Sequence, residues 1–190
     1  MCNKVNIFKQ KFFDLPSRNF GETYVEPILR EYFKDRISSN KLFDAFRGEN
    51  NQRVEYKAVR VVYSSNAKKG SLYDNIMSIT PISDRIGTIE DIKKGNIVAN
   101  CQNIKLEDFD ILDYVLVDAD GFHIFEITTK DFIKYIEEGK FPNWCDKHGS
   151  KDGGKNGQFP INSGNIETHL NQWHKKTLSW KDILDIVKTI

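Results

Sequence analysis

Hydrophobic and polar positions change their period several times along the chain, and each change marks an element. In "FGETYVEPILREYFKDR" (20–36), Val25, Ile28, Leu29 and Tyr32 recur at helical spacing, which predicts an amphipathic helix. Pro27 lies inside that stripe and removes a backbone donor. The helix therefore either kinks there or restarts with Glu26 near its N-cap. "KLFDAF" (41–46), the turn formers of "RGENNQ" and the alternating run 53–62 read together as a hairpin. Between 64 and 110 the pattern is weak, and only "SLYDNIMSIT" and "TIEDIKKG" suggest short helices.

The clearest supersecondary signal follows. Two apolar runs, 111–117 and 122–127, flank the turn residues "DADG", and a helix over 129–138 ends at Gly139. Both faces of these strands are apolar, which calls for a sheet covered on both sides. Residues 145–165 are rich in Gly, Lys and Asn and read as a long flexible loop. "SWKDILDIVKTI" has the pattern of an amphipathic helix with Ser179 as its N-cap. These elements predict an α/β or α+β fold, with helices packed on a mixed central sheet in one domain over residues 1–190.

Composition narrows the picture. With 39% hydrophobic residues among 190, the chain can bury a core of single-domain size. Its net charge of +1 lacks the basic excess common in nucleic-acid binders, although acids that hold metal ions cancel surface lysines. Cys2, Cys101 and Cys145 are far apart and form no CxxC pair, which argues against a structural zinc site or a disulfide framework. A reduced cytoplasmic compartment is the expectation. No segment approaches membrane-spanning length.

The chemistry sits in "RVEYKAVRVV" (53–62). Strand alternation puts Glu55, Lys57, Val59 and Val61 on one face and Val54, Tyr56 and Ala58 on the other. In "KLFDAF" it puts Asp44 on a face with Leu42 and Phe46. Two neighbouring strands thus each set a carboxylate among apolar residues, which is costly without compensation. One compensation is a buried ion pair, with Lys57 neutralising Glu55 or Asp44. The other is a divalent metal held by Asp44 and Glu55, with Lys57 beside it. Dense oxygen ligands suit Mg²⁺, which also binds phosphate oxygens. The lysine then orients or deprotonates a water attacking phosphorus, or stabilises the developing charge.

The stretch "FDAFRGENNQRVEYKAV" resembles the PD-(D/E)xK nuclease superfamily, small type II restriction endonucleases above all. The resemblance implies Asp44 and Glu55 as metal ligands, Lys57 as the motif lysine, Mg²⁺ as cofactor and duplex DNA as substrate. It also implies a restriction-endonuclease-like core and a homodimer whose two active sites cut both strands. A glutamate on the preceding helix is a further implication. Glu22 and Glu26 both offer themselves, and a straight helix sets Glu22 nearer the apolar stripe. No proline precedes Asp44, where "LFD" stands, which departs from the motif.

Flexible cationic positions, namely Lys147, His148, Lys151 and Lys155, with Lys68 and Lys69 before Gly70, are candidates for phosphate contact. Asn156 and Gln158 carry amides suited to adenine edges. Two rival constellations exist. Asp113, Asp118 and Glu126 form a second acidic group, with Thr128 where a lysine would stand. His148, Asn156, Asn165, His169 and His174 invite an HNH-type reading, but no strand pattern precedes His148, and a polar loop followed by a helix with His169 and Trp173 explains them. Other functions compatible with the pattern are a structure-selective nuclease for junction resolution or repair, and a non-enzymatic DNA-binding module with an ion-pair cluster.

Overall fold

The computed structural model of the protein describes residues 2–65, 71–139, 144–146 and 157–190. The chain starts with α1 (Cys2–Phe13) and a π-helical turn (Gly21–Val25) that runs directly into α2 (Glu26–Phe33). Strands β1 (Arg36–Ile37), β2 (Ala45–Arg47) and β3 (Gln52–Arg60) follow. A crossover then carries α3 (Leu72–Met77), a 3₁₀ turn (Ile82–Arg85), α4 (Ile89–Lys93) and β4 (Ala99–Ile104). Next come β5 (Ile111–Val117), β6 (Gly121–Thr128) and α5 (Thr129–Glu137). The remaining elements are β7 (Cys145–Asp146), β8 (Gly157–Ile161), α6 (Ile166–Gln172), β9 (His174–Ser179) and α7 (Trp180–Val187).

The fold is α+β, built on a six-stranded sheet in the order β1-β2-β3-β5-β6-β9. The sheet is mixed: β3 and β5 pair in parallel, and the other neighbours pair antiparallel. Every residue of β5 is buried, as its continuous apolar run requires of a strand covered on both faces. The turn after β5 brings in Gly121 with φ +148, where an added Cβ would stand 1.9 Å from the Leu178 carbonyl oxygen. Only glycine allows β6 to approach β9 so closely.

One face of the sheet packs on the aromatic residues of α1, on α2 and on α7. Phe12, Phe13 and Phe122 gather around Trp180 with ring centroids 5.5 to 5.9 Å away. Ser179 caps α7 through a reciprocal box with Asp182, as its position before the apolar stripe predicts. The opposite face packs on α4, α6 and a second sheet, β4-β8-β7, around Tyr114, Phe125, Phe132 and Phe159. No helix among the described residues is long and apolar enough to cross a membrane.

Two expectations change. Residues 41–44 are not extended: Ser38 Oγ accepts from the Asn40 N–H at 3.0 Å, and Asn40 Oδ1 accepts from the Leu42 N–H at 3.0 Å. These side-chain turns leave Leu42 54% exposed and bury Phe43 in its place, so β2 starts only after Asp44. Within 145–165, expected as one loop, residues 145–146 and 157–161 are strands of the second sheet. Pro160 is tolerated in β8 because β7 pairs only with Gly157 and Gln158.

Candidate active site

Hairpin pairing of β2 with β3 sets Asp44 beside the middle of β3. The Asp44 N–H donates to the Val54 carbonyl at 2.9 Å, and Asp44 Oδ2 accepts from the Tyr56 N–H at 2.7 Å. Tyr56 lies between Glu55 and Lys57 and points to the other face, where it packs with Val54. Val59 and Phe46 pack on the Glu55 and Lys57 side, as alternation predicts. The Lys57 ammonium pairs with the Glu55 carboxylate, and the Glu55 and Asp44 side chains are within hydrogen-bonding reach.

A third carboxylate comes from α2. Glu26 is 7% exposed, and Arg30 Nη1 lies 3.5 Å from its Oε2. Burial pushes its carboxyl up to about 8, with Asp44 adding to the rise and Arg30 and Lys57 opposing it. Burial likewise raises Glu55 to about 7; Lys57 opposes the rise and Asp44 reinforces it. Asp44 is also raised by burial, although the Tyr56 N–H and Lys57 favour its charged form. Burial weakens the Lys57 ammonium, but Glu55 and Asp44 more than offset that and hold it above its ordinary value. Burial is thus the largest cause of the raised proton affinity at all three acids.

The group opens into solvent. A cleft of about 1050 Å³ is lined by Glu26 and Arg30 from α2, Lys57 from β3 and Asn100 from β4. Asp44 stands where it meets a second cavity of about 360 Å³, lined by Lys41, Glu55, Asn103 and Lys105. Cys101 is buried beside Lys57, and burial pushes its thiol up to about 12, which keeps it neutral.

The helix glutamate is a correction. Glu22 is exposed on the rim of the cleft, while Glu26 is buried and senses the charges of Asp44 and Lys57. The straight-helix expectation fails because residues 21–25 form a π turn. Its wider turn takes up an extra residue before α2 restarts with Pro27 at its beginning.

The rival acidic group does not converge. Asp113 and Glu126 both bind Arg47, at 2.7 and 2.9 Å, and Arg47 also binds Asp35 at 2.6 Å and stacks on Phe33 at 4.0 Å. Lys175 takes the other Glu126 oxygen at 2.7 Å. Asp118 and Asp120 lie in the β5–β6 turn and His123 on β6, and the three offer ligand atoms within 4.8 Å of one another. Asp118 is already occupied there. Its carboxylate accepts from the N–H groups of Asp120, Gly121 and Ile89 at 2.8 to 3.1 Å, and His123 Nε2 lies 3.1 Å away.

The HNH residues that are described lie apart. His169 Nδ1 meets the Tyr114 hydroxyl at 2.8 Å in the core, where burial pulls the imidazole down to about 4. Asn165 ties its own loop through Pro160 and Asn162, and His174 Nε2 meets Thr177 at 3.0 Å. Lys68, Lys69, Lys147, His148, Lys151, Lys155 and Asn156 fall outside the described residues. Gln158 is described but does not line the cleft; its Oε1 accepts from Asn100 Nδ2 at 3.4 Å. The cleft residues Arg30, Lys41 and Asn100, and Lys105 of the smaller cavity, carry no periodic signal in the sequence, because they meet only through tertiary contact. No protein-family model matches the chain, and no curated protein matches it.

Proposed function

We propose that the protein is a Mg²⁺-dependent endonuclease of the PD-(D/E)xK type that hydrolyses phosphodiester bonds of duplex DNA. Its centre is Asp44, Glu55 and Lys57, with Glu26 as the helix-borne carboxylate. The observation that carries this reading is the under-compensated acid group on the wall of an open cleft. Burial raises the proton affinity of Glu26, Asp44 and Glu55 alike, and Lys57, Arg30 and the Tyr56 N–H offset it only in part. Buried carboxylates arranged at such a cost are typical of a site that receives a cation.

The donor set fits Mg²⁺. Asp44 and Glu55 would hold the ion through hard carboxylate oxygens, the ligand type Mg²⁺ prefers. The bound ion would neutralise phosphate charge and acidify a water. Lys57 is held protonated, so it donates to a phosphate oxygen or an attacking water rather than removing a proton. Tyr56 fixes Asp44 through its N–H, and Glu26 adds negative charge beside Asp44 once deprotonated. Water attacks phosphorus opposite the leaving oxygen, with Lys57 positioned to stabilise charge on the phosphoryl oxygens.

We take the sequence-specific form, a homodimeric type II restriction enzyme, as the working assignment, since cutting both strands of a palindrome calls for two centres related by a two-fold axis. The test is incubation of the purified protein with long duplex DNA, in Mg²⁺ and in chelator. Discrete Mg²⁺-dependent fragments support the assignment. Cleavage of branched DNA alone favours the structure-selective nuclease. No cleavage of either favours a binding module with an ion-pair cluster.

A further inference from the structure

Strand β4 departs from alternation where it lines the cleft. Its burial runs buried, intermediate, buried, exposed, exposed, buried over Ala99–Ile104. Regular alternation would turn the side chain of residue 103 inward and that of Ile104 outward. The register with β8 shifts between Cys101 and Ile104, and Asn103 takes the left-handed conformation, φ 61. This bulge returns Ile104 to the core and presents Gln102 and Asn103 in succession to the cleft that holds Lys57 and Asp44.

Asn100, on the same strand, also lines the cleft. Its Nδ2 donates to Gln158, and no donor among the described residues reaches its buried Oδ1. The wall facing the acid group is therefore an amide wall, with a left-handed backbone and a broken ladder to hold it. A carboxamide offers one acceptor and one donor side by side, which is the complement of the adenine edge at N7 and N6.

We infer that the β4 bulge is a base-reading element, in which Gln102 and Asn103 recognise an adenine close to the cut phosphodiester bond. The inference rests on the nuclease reading above and adds its specificity determinant. Phosphates of the same strand meet Lys41 and Lys105, the cations that line the smaller cavity together with Asn103.

The test uses Asn103→Gly, which keeps the left-handed backbone while removing the amide, and Gln102→Ala at an exposed position. Wild type and both variants digest a duplex library randomised around the cut, and the new ends are sequenced. The wild type should prefer A·T at a fixed position beside the cut. Each variant should still cut in Mg²⁺, with that preference reduced by between about 5- and 150-fold. Unchanged preference in the variants, equal loss of cleavage at every sequence, or a wild type without preference overturns the inference and leaves the nuclease reading in place. A wild type that cuts nothing overturns both.

Discussion

The Tyr56 N–H donates to Asp44 Oδ2 at 2.7 Å, so the residue between Glu55 and Lys57 is the one that holds the third member of the group. The carboxylate at the mouth of β2 and the two charges on β3 thus share one hydrogen-bond register. A slip of one residue in that hairpin would turn Glu55 and Lys57 to the opposite face. Behind them, on that face, Tyr56 donates its hydroxyl to Asp35, which also binds Arg47. The acid group and the Arg47 network are therefore two sides of one strand.

Glu26, not Glu22, should be the helix glutamate that matters. Glu26→Gln is expected to lower Mg²⁺-dependent cleavage by at least about tenfold, as loss of a positioned carboxylate does. Glu22→Gln, on the exposed rim, should change it less than twofold. Steady-state rates of the two variants check this, and a larger loss in Glu22→Gln contradicts it.

What could be read beforehand, and what could not, follows from the physics of each element. The β5–β6–α5 unit was legible because unbroken apolar runs, the "DADG" turn and Gly139 all point the same way. The shared face of Glu55 and Lys57 was legible because period-two alternation held through β3, whereas Asp44 reaches it from a turn that the strand reading of 41–46 did not foresee. Glu26 was not, since a π turn breaks the 3.6-residue period on which its face was judged. β8 was hidden by Pro160, and β9 by the exposed polar positions of an edge strand, His174 to Lys176. The cleft partners on β4 depend on a bulge, which no alternation pattern announces.

Arg47→Ala should destabilise the protein by about 3–5 kcal/mol, because it strands the buried Asp113 carboxylate and releases Asp35 and Glu126. Urea denaturation measures the loss. Partial relief is expected from Arg47→Ala combined with Asp113→Asn, since the double variant removes the uncompensated charge. Equal stability of wild type and Arg47→Ala would show that the network carries no net stabilisation.

Proton release should accompany metal binding. Glu26 at about 8 and Glu55 at about 7 lie above the ordinary 4.5, so without metal the folded chain holds protons that the unfolded chain has lost. Their stabilising contribution is complete below pH 4.5 and fades as pH rises through 7 and 8. Mg²⁺ competes with those protons and should raise the melting temperature more at pH 8 than at pH 6. Equal increments at the two pH values would sink the assignment of these carboxylates to the metal site.

His169 acts in the opposite sense. Its imidazole, at about 4 in the core against an ordinary 6.5, stays neutral where the unfolded chain binds a proton. The stability it contributes is present above pH 6.5 and is lost as pH falls toward 4, by up to about 3 kcal/mol. His169→Gln, which keeps an acceptor for the Tyr114 hydroxyl, should flatten the acid limb of the stability profile. Identical acid limbs for wild type and variant would exclude this role.

The most direct measurement is single-turnover cleavage of one target duplex in Mg²⁺ by four proteins: wild type, Lys57→Ala, Asp44→Asn and Asp120→Asn. The Asp44–Glu55–Lys57 centre predicts cleavage by wild type and Asp120→Asn. It predicts loss of at least about 100-fold in the other two, with circular dichroism unchanged. Retained cleavage in folded Lys57→Ala, or loss confined to Asp120→Asn, would move the chemistry away from β3 and contradict the account.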